Sequence, residues 1–145
     1  MDGANLDPLR LESQLCFPLY ACAREVMKKY KPFLDAIDLT YTQYVTMMVL
    51  WEAGRATSKE IGERLHLDSG TLTPVIKKLE EKGLVTRRRS EADERNLSVS
   101  VTEAGRALKA RAAQVPVQVG RCVRLSPEDA GALYALLYRL LDCLE

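Results

Sequence analysis

The segment between Thr57 and Val101 constrains the fold most, because it encodes two short helices followed by two short strands. Thr57 and Glu60 have the spacing of a capping box, in which a threonine and a glutamate satisfy each other's backbone donors at a helix start. This predicts a helix over residues 58–66 and, after a tight turn, a second helix that ends at Gly83. The apolar residues of the second helix recur at helical spacing: Leu72, Val75, Ile76 and Leu79.

Two strands follow the second helix. Residues 84–89 can form the first, and Leu97, Val99 and Val101 alternate with serines, which is typical of a half-buried strand. A polar loop joins the two. Two short helices, a tight turn and a hairpin are typical of a winged helix-turn-helix, whose second helix lies in the DNA major groove. We therefore expect a DNA-binding unit over about residues 55–102.

Helices are also predicted on either side of this unit. The first begins near Asp7 or Pro8, runs towards Tyr30 and ends before Pro32. Pro18 either kinks this helix or begins a new one. Residues 42–52 form the next helix, which Gly54 ends.

The C-terminal part of the chain is predicted to contain two more helices. One opens at Thr102 and runs to about Gln114, before Pro116 disturbs it. The last begins at Ser126 and carries a leucine stripe with Tyr134 and Tyr138, more apolar surface than a lone end helix needs. We expect one mainly α domain over residues 1–145, with a small β-hairpin and a dimerisation region formed by helices about 7–35 and 103–145.

Charge and cysteine content exclude several classes of protein. Lys plus Arg (21) nearly balances Asp plus Glu (20), so a polybasic mode of action is excluded and any nucleic-acid footprint must be local. No signal peptide or membrane segment is evident, so a cytoplasmic protein is expected. Four cysteines without a Cys-x-x-Cys pair and a single histidine, His66, predict neither a metal site nor a cofactor.

The candidate DNA-binding residues lie on the second short helix and the hairpin. Placing the leucines inward turns Gly70, Pro74 and Lys77 outward, and hydroxyls near the helix start can bond phosphates or base edges. Asp93 can hold Arg95 by a charge-assisted pair, which suits insertion into a minor groove. The alternative is a solvated hairpin whose charges only keep it soluble. The full set is Ser69, Gly70, Thr71, Thr73, Pro74, Lys77, Lys78, Arg87, Arg88, Arg89, Asp93 and Arg95.

Several motifs resemble those of MarR-type repressors. They are Asp68-Ser69-Gly70-Thr71-Leu72-Thr73-Pro74, Lys77-Lys78-Leu79-Glu80, Gly83-Leu84-Val85, Asp93-Glu94-Arg95 and Thr102-Glu103-Ala104-Gly105. The run Leu15-Cys16-Phe17 with Tyr20, Lys31-Pro32, Tyr41 and Gln43-Tyr44 is similar to one branch, the organic hydroperoxide resistance regulators (OhrR). The resemblance extends from about Leu11 to Leu141.

The resemblance implies a redox-sensing role for Cys16. In such regulators a cysteine in the first helix reacts with organic hydroperoxides, and tyrosine hydroxyls stabilise its thiolate. Tyr20 matches the tyrosine one turn below the thiol, and Tyr30 and Tyr41 match the two that reach it from the partner subunit. Cys122 matches the resolving cysteine of the two-cysteine type, which implies an intersubunit Cys16–Cys122 disulfide that releases a palindromic operator.

Three alternatives stay open at this stage. A small external thiol can resolve the oxidised sulfur in place of Cys122. A reversible phenolic ligand in the same cleft can replace oxidation altogether. A thiol peroxidase with Cys16 as nucleophile is a third reading, although such an enzyme has no use for a groove-sized helix and an arginine-rich hairpin. Cys22 and Cys143 are expected to be small core filler.

Overall fold

The computed structural model describes residues 7–89 and 96–145. A short 3-10 turn at Leu11–Ser13 precedes the first helix. The helices are α1 (Cys16–Asp35), α2 (Tyr41–Ala53), α3 (Ser58–Leu65), α4 (Ser69–Glu81), α5 (Glu103–Ala112), α6 (Gln114–Gly120) and α7 (Pro127–Leu144). The strands are β1 (Arg55–Thr57), β2 (Val85–Arg89) and β3 (Leu97–Val101).

Side-chain caps fix the starts of the helices in the predicted unit. Thr57 accepts a hydrogen bond from the backbone N–H of Glu60 at 3.1 Å, and Glu60 accepts one from the backbone N–H of Thr57 at 2.7 Å. The predicted capping box is therefore confirmed. Asp68 caps α4 by accepting from the N–H of Thr71 at 2.8 Å. This bond lowers the pKa of the Asp68 carboxyl, which keeps the cap ionised at neutral pH.

The sheet contains one strand more than the predicted hairpin. Its order is β1-β3-β2, all antiparallel, and β1 pairs Ala56 with Val99. Three residues are too few to show a period of two, so β1 has no signal of its own in the sequence. Its pairing with β3 places the start of α3 against the hairpin, which ties the two halves of the DNA-binding unit together.

One apolar core joins the helix pair to the sheet. Leu72, Ile76 and Leu79 of α4 are buried, as predicted, and they meet Ile61 of α3. The inner face of the sheet completes this core, with Val85, Val99 and Val101 buried. Because α4 is packed along its whole apolar stripe, its opposite face is held outward.

Prolines interrupt the helices less than the sequence predicts. The first helix begins at Cys16, so Pro18 lies in its first turn, where a missing N–H costs no helical bond. The prediction that it ends before Pro32 is wrong, since α1 continues to Asp35 because buried Leu34 anchors its last turn. Pro116 likewise lies in the first turn of α6, a helix that the sequence did not predict.

The last helix packs little against its own chain. The predicted start at Ser126 is confirmed, since its hydroxyl accepts from the N–H of Asp129 at 3.1 Å. None of the residues of α7 is buried, and Leu136 and Tyr134 remain 59% and 64% exposed. An apolar helix left uncovered in this way requires another surface to pack against. Over the described ranges 7–89 and 96–145, no helix has the length and apolar character needed to cross a membrane.

Candidate nucleic-acid interface and thiol site

Helix α4 presents a polar face at the surface of the molecule. The residues predicted to point outward are exposed: Ser69, Gly70, Thr71, Thr73, Pro74, Lys77 and Lys78. Thr73 donates its hydroxyl hydrogen to the Ser69 carbonyl at 2.7 Å, which leaves that hydroxyl's oxygen lone pairs available as acceptors. Lys78 lies 3.0 Å from the Glu81 carboxylate in an exposed pair of little strength. The face has the hydroxyls and cations that phosphates and base edges require.

The turn between α3 and α4 is tight enough to hold the two helices at a fixed angle. A Cβ built on Gly62 would lie 2.8 Å from the Leu67 carbonyl oxygen, so only glycine fits this close approach. His66 ends α3 in the left-handed conformation with φ of 53°. The turn therefore orients the exposed face of α4 relative to the rest of the core.

The hairpin arginines differ in their environments. Arg88 and Arg89 are exposed, as a phosphate-binding role requires. Arg87 lies against Glu80 of α4, a partner that sequence reasoning missed. The sequence does contain a signal for this pair, because Glu80 and Arg87 have opposite charges and lie seven positions apart on either side of the turn at Gly83. Asp93 and Arg95 fall outside the described residues.

The four cysteines are all exposed in the single chain. Cys16 is the first residue of α1, at the positive end of the helix dipole. Cys122 follows α6, with its sulfur 3.6 Å from the Gln118 carbonyl oxygen. The prediction that Cys22 and Cys143 fill the core of this chain is wrong, because both face outward. No group of three or more metal-ligating side chains occurs in the part of the chain that the structure describes.

Three tyrosines form a cluster where α1 meets α2. The ring centroids of Tyr30 and Tyr41 are 5.0 Å apart, and each lies 6.2 Å from that of Tyr44. Burial raises the pKa of Tyr30 and, with its tyrosine neighbours, that of Tyr41, so both hydroxyls remain protonated donors at neutral pH. The predicted set of thiolate-stabilising tyrosines did not include Tyr44, although its spacing of three residues from Tyr41 puts the two on one helix face.

The thiol and the tyrosine cluster are far apart within one chain. Cys16 and Tyr30 both belong to α1, and their separation of fourteen positions corresponds to about 21 Å along the helix axis. Tyr20 does lie one turn from Cys16, where its exposed ring is covered by the Arg24 guanidinium at 5.4 Å. Within a single copy, Tyr20 is therefore the one predicted tyrosine near the thiol.

Comparisons with known proteins identify relatives over nearly the full chain. A family model described as transcriptional regulator SarA/Rot matches residues 28–112. The organic hydroperoxide resistance transcriptional regulator of Bacillus subtilis is 49% identical over 140 residues, which cover 97% of this chain and 95% of the relative.

Solved structures give the same assignment. Reduced AbfR bound to DNA, a protein of Staphylococcus epidermidis, superimposes with a TM-score of 0.78 at 32% identity, covering 94% of each chain. The disulfide form of AbfR gives a TM-score of 0.64 at 33% identity, covering 93% of this chain and 92% of that one. The relatives are transcriptional regulators rather than enzymes. On the winged helix-turn-helix fold and this similarity, the chain belongs to the MarR-type transcriptional regulators, in their organic hydroperoxide resistance branch.

Proposed function

We propose that this chain is a dimeric repressor that binds palindromic operator DNA and leaves it when an organic hydroperoxide oxidises Cys16. The DNA-binding unit covers about residues 55–102, with α4 in the major groove and the hairpin beside it. The exposed hydroxyls of α4, with Lys77, Arg88 and Arg89, supply contacts to bases and phosphates. The structure of reduced AbfR bound to DNA, whose fold this chain shares, supports DNA binding by this fold.

Dimerisation follows from the uncovered apolar helix. The apolar stripe on α7 is only partly covered within its own chain, and the start of α1 exposes Leu15, Phe17 and Leu19. Pairing these regions about a two-fold axis buries both faces and sets two copies of α4 on successive major grooves. Helices about 7–35 and 103–145 would form this dimerisation region.

The sensing site is then shared between two chains. Because about 21 Å of helix separates Cys16 from Tyr30 in one copy, a site that contains both needs the partner subunit. The partner subunit's Tyr30 and Tyr41 would donate hydrogen bonds to the Cys16 sulfur, and Tyr20 would do so from its own chain. Hydroxyl donors favour the thiolate, which is the form that reacts with a peroxide.

The chemistry is a two-step oxidation of thiols. The Cys16 thiolate attacks the terminal oxygen of the hydroperoxide, the O–O bond breaks, and an alkoxide leaves and takes a proton from water. The product is a Cys16 sulfenic acid. The thiolate of the partner subunit's Cys122 then attacks that sulfur, expels hydroxide and forms an intersubunit disulfide. Both thiols are exposed in the single chain, as each step requires.

Release of DNA requires that the oxidised dimer have another shape. The present chain matches the reduced, DNA-bound form of AbfR better than its disulfide form, with TM-scores of 0.78 and 0.64 at nearly equal identity and coverage. This difference in similarity supports the interpretation that the conformation described here is the DNA-binding state. A bond between Cys16 and the partner subunit's Cys122 would move the end helices, and with them the spacing of the two α4 helices.

The exposed position of Cys16 at the start of α1 is the observation that carries this proposal. The test uses a palindromic duplex that the wild-type chain selects from a random pool. Binding is titrated before and after one equivalent of cumene hydroperoxide, for wild type, Cys16→Ser and the matched control Cys22→Ser. We expect release from wild type and Cys22→Ser but not from Cys16→Ser. Release of Cys16→Ser by the peroxide would contradict the proposal.

The same samples separate the remaining alternatives. A covalent dimer on a non-reducing gel, absent in Cys122→Ser, supports Cys122 as the resolving thiol. DNA release without a covalent dimer would replace it with an external thiol. Release of the Cys16→Ser variant by a phenol, with no response of wild type to peroxide, would replace oxidation with reversible ligand binding.

A further inference from the structure

In the described part of the chain, Glu80 of α4 holds Arg87 of β2 by two hydrogen bonds and one further ion-pair contact, all to a single carboxylate. Glu80 Oε2 accepts from the backbone N–H of Arg87 at 2.9 Å. Glu80 Oε1 accepts from Arg87 Nε at 3.0 Å and lies 2.9 Å from Nη2. The side chains of Arg87 and Glu80 are 27% and 36% exposed, so this contact is shielded more than an ordinary surface ion pair.

The pair bridges the two elements that must engage DNA together. Glu80 lies in the last turn of α4, Arg87 is the middle residue of β2, and Gly83, with φ of 75°, turns the chain between them. A forked guanidinium held at both Nε and Nη2, together with the backbone N–H of the same residue, fixes direction as well as distance. The contact therefore sets the angle between α4 and the hairpin.

Building on the proposed DNA binding, we propose that Glu80 and Arg87 are a positioning pair that aligns the hairpin with α4, and that Arg87 does not contact phosphate. Its positive charge is already neutralised by Glu80, whereas its neighbours Arg88 and Arg89 are exposed. The pair acts on DNA only through the geometry it imposes. This differs from the sequence expectation, which grouped all three arginines as DNA contacts.

Removing the Glu80 charge should change DNA affinity in opposite directions, depending on whether Glu80 acts only through its charge or positions the hairpin. Loss of a negative charge from a DNA-binding surface by itself strengthens binding to phosphates. If Glu80 positions the hairpin, Glu80→Gln instead weakens binding to the selected duplex by about tenfold. Glu81→Gln is the matched control, because Glu81 pairs only with Lys78 in the described contacts and its loss should leave affinity equal or slightly higher. Glu80→Gln binding as tightly as wild type, or more tightly, would overturn the proposal.

The salt dependence of binding tests the second half of the proposal. A residue that neutralises a phosphate contributes about 0.9 to the slope of log K against log salt. Arg88→Ala is expected to lower the slope by about this amount, whereas Arg87→Ala should weaken binding and leave the slope unchanged. Equal decreases in slope for Arg87→Ala and Arg88→Ala would show that Arg87 contacts phosphate.

A purely structural role for the pair is distinguished by two further measurements. Arg87→Lys keeps the positive charge but loses the forked guanidinium, so it should weaken DNA binding as much as Glu80→Gln. The double variant should bind DNA no more weakly than either single variant. All variants should remain folded at the assay temperature by circular dichroism. If the loss of DNA affinity disappears once affinities are corrected for the fraction of each variant that is folded, the proposal is overturned. Failure of the wild-type chain to select any duplex would instead refute the proposed function.

Discussion

Leu136 tests whether α7 packs against a second copy of the chain. Its side chain remains 59% exposed in the single chain. Full burial of a leucine is worth about 1.5–3 kcal/mol, so a dimer interface that covers the exposed part recovers about 1–2 kcal/mol per subunit. A two-fold axis doubles the effect of each substitution. Leu136→Ala should therefore weaken the dimer by about 2–4 kcal/mol, or roughly 30- to 700-fold in dissociation constant.

Sedimentation equilibrium over a range of protein concentrations measures this change directly. Met48→Ala is the matched control, because Met48 is 42% exposed on α2, outside the proposed dimerisation helices. We expect the control to leave the dimer dissociation constant within about twofold of wild type, since surface changes away from an interface have small effects. A Leu136→Ala dimer as stable as the Met48→Ala dimer would refute the assignment of α7 to the interface.

Three further predictions, each with a control substitution, test the local structure and the thiol site. A Cβ on Gly105 would collide with the Leu84 carbonyl oxygen, so Gly105→Ala should lower the free energy of unfolding in urea by about 1–3 kcal/mol. The control Gly120→Ala, whose Cβ meets nothing within 4 Å, should stay within about 0.5 kcal/mol of wild type. Asp68 has a lowered pKa, so its cap stabilises the fold above the ordinary value of 3.8 and this contribution is lost as pH falls through the lower folded-state pKa. Asp68→Ala should therefore lower the melting temperature at pH 7, whereas Asp68→Asn should not. The difference in melting temperature between wild type and Asp68→Ala should shrink as the pH falls below 3.8. A difference that does not change with pH would contradict the ionised cap. Tyr41→Phe should slow oxidation of Cys16 by about tenfold or more in stopped-flow assays, because a hydrogen bond to a charged sulfur is lost. The control Tyr134→Phe should leave the rate unchanged. Equal oxidation rates for the two variants would show that Tyr41 is not part of the site.

The local signals in the sequence predict the DNA-binding unit closely. Capping residues such as Thr57 and Ser126 are short-range signals, and each begins its helix as predicted. The predicted strands at 84–89 and 97–101 are confirmed for the same reason, since the alternation of Val99 and Val101 with serines is local.

The features that the sequence did not predict depend on contacts between distant residues. Strand β1 exists because Ala56 pairs with Val99, forty-three positions along the chain. Helix α1 passes Pro32 because Leu34 is buried in the core, which outweighs the loss of one backbone hydrogen bond. The Glu80–Arg87 contact requires the turn at Gly83 to bring a helix end back to a strand. None of these can be read from periodicity alone.

The thiol site presents the same difficulty at the level of the assembly. The motif around Cys16 predicts a sensing thiol, but two of the tyrosines proposed to stabilise it, Tyr30 and Tyr41, cluster near the other end of its helix. On the proposed function, a single chain contains two half-sites, the thiol with Tyr20 and the cluster of Tyr30, Tyr41 and Tyr44. The proposed function depends on a second copy bringing the two halves together.

Mixed dimers test this central claim most directly. One chain carries Cys16→Ser and the other carries Cys122→Ser, with affinity tags that differ in mass, so each mixed dimer retains one Cys16 and the partner subunit's Cys122. After one equivalent of cumene hydroperoxide, the account predicts a covalent heterodimer on a non-reducing gel, with the Cys16–Cys122 peptide found by mass spectrometry. If the wild-type protein forms a disulfide only within one chain, and the mixed dimers form no covalent link, the account is contradicted.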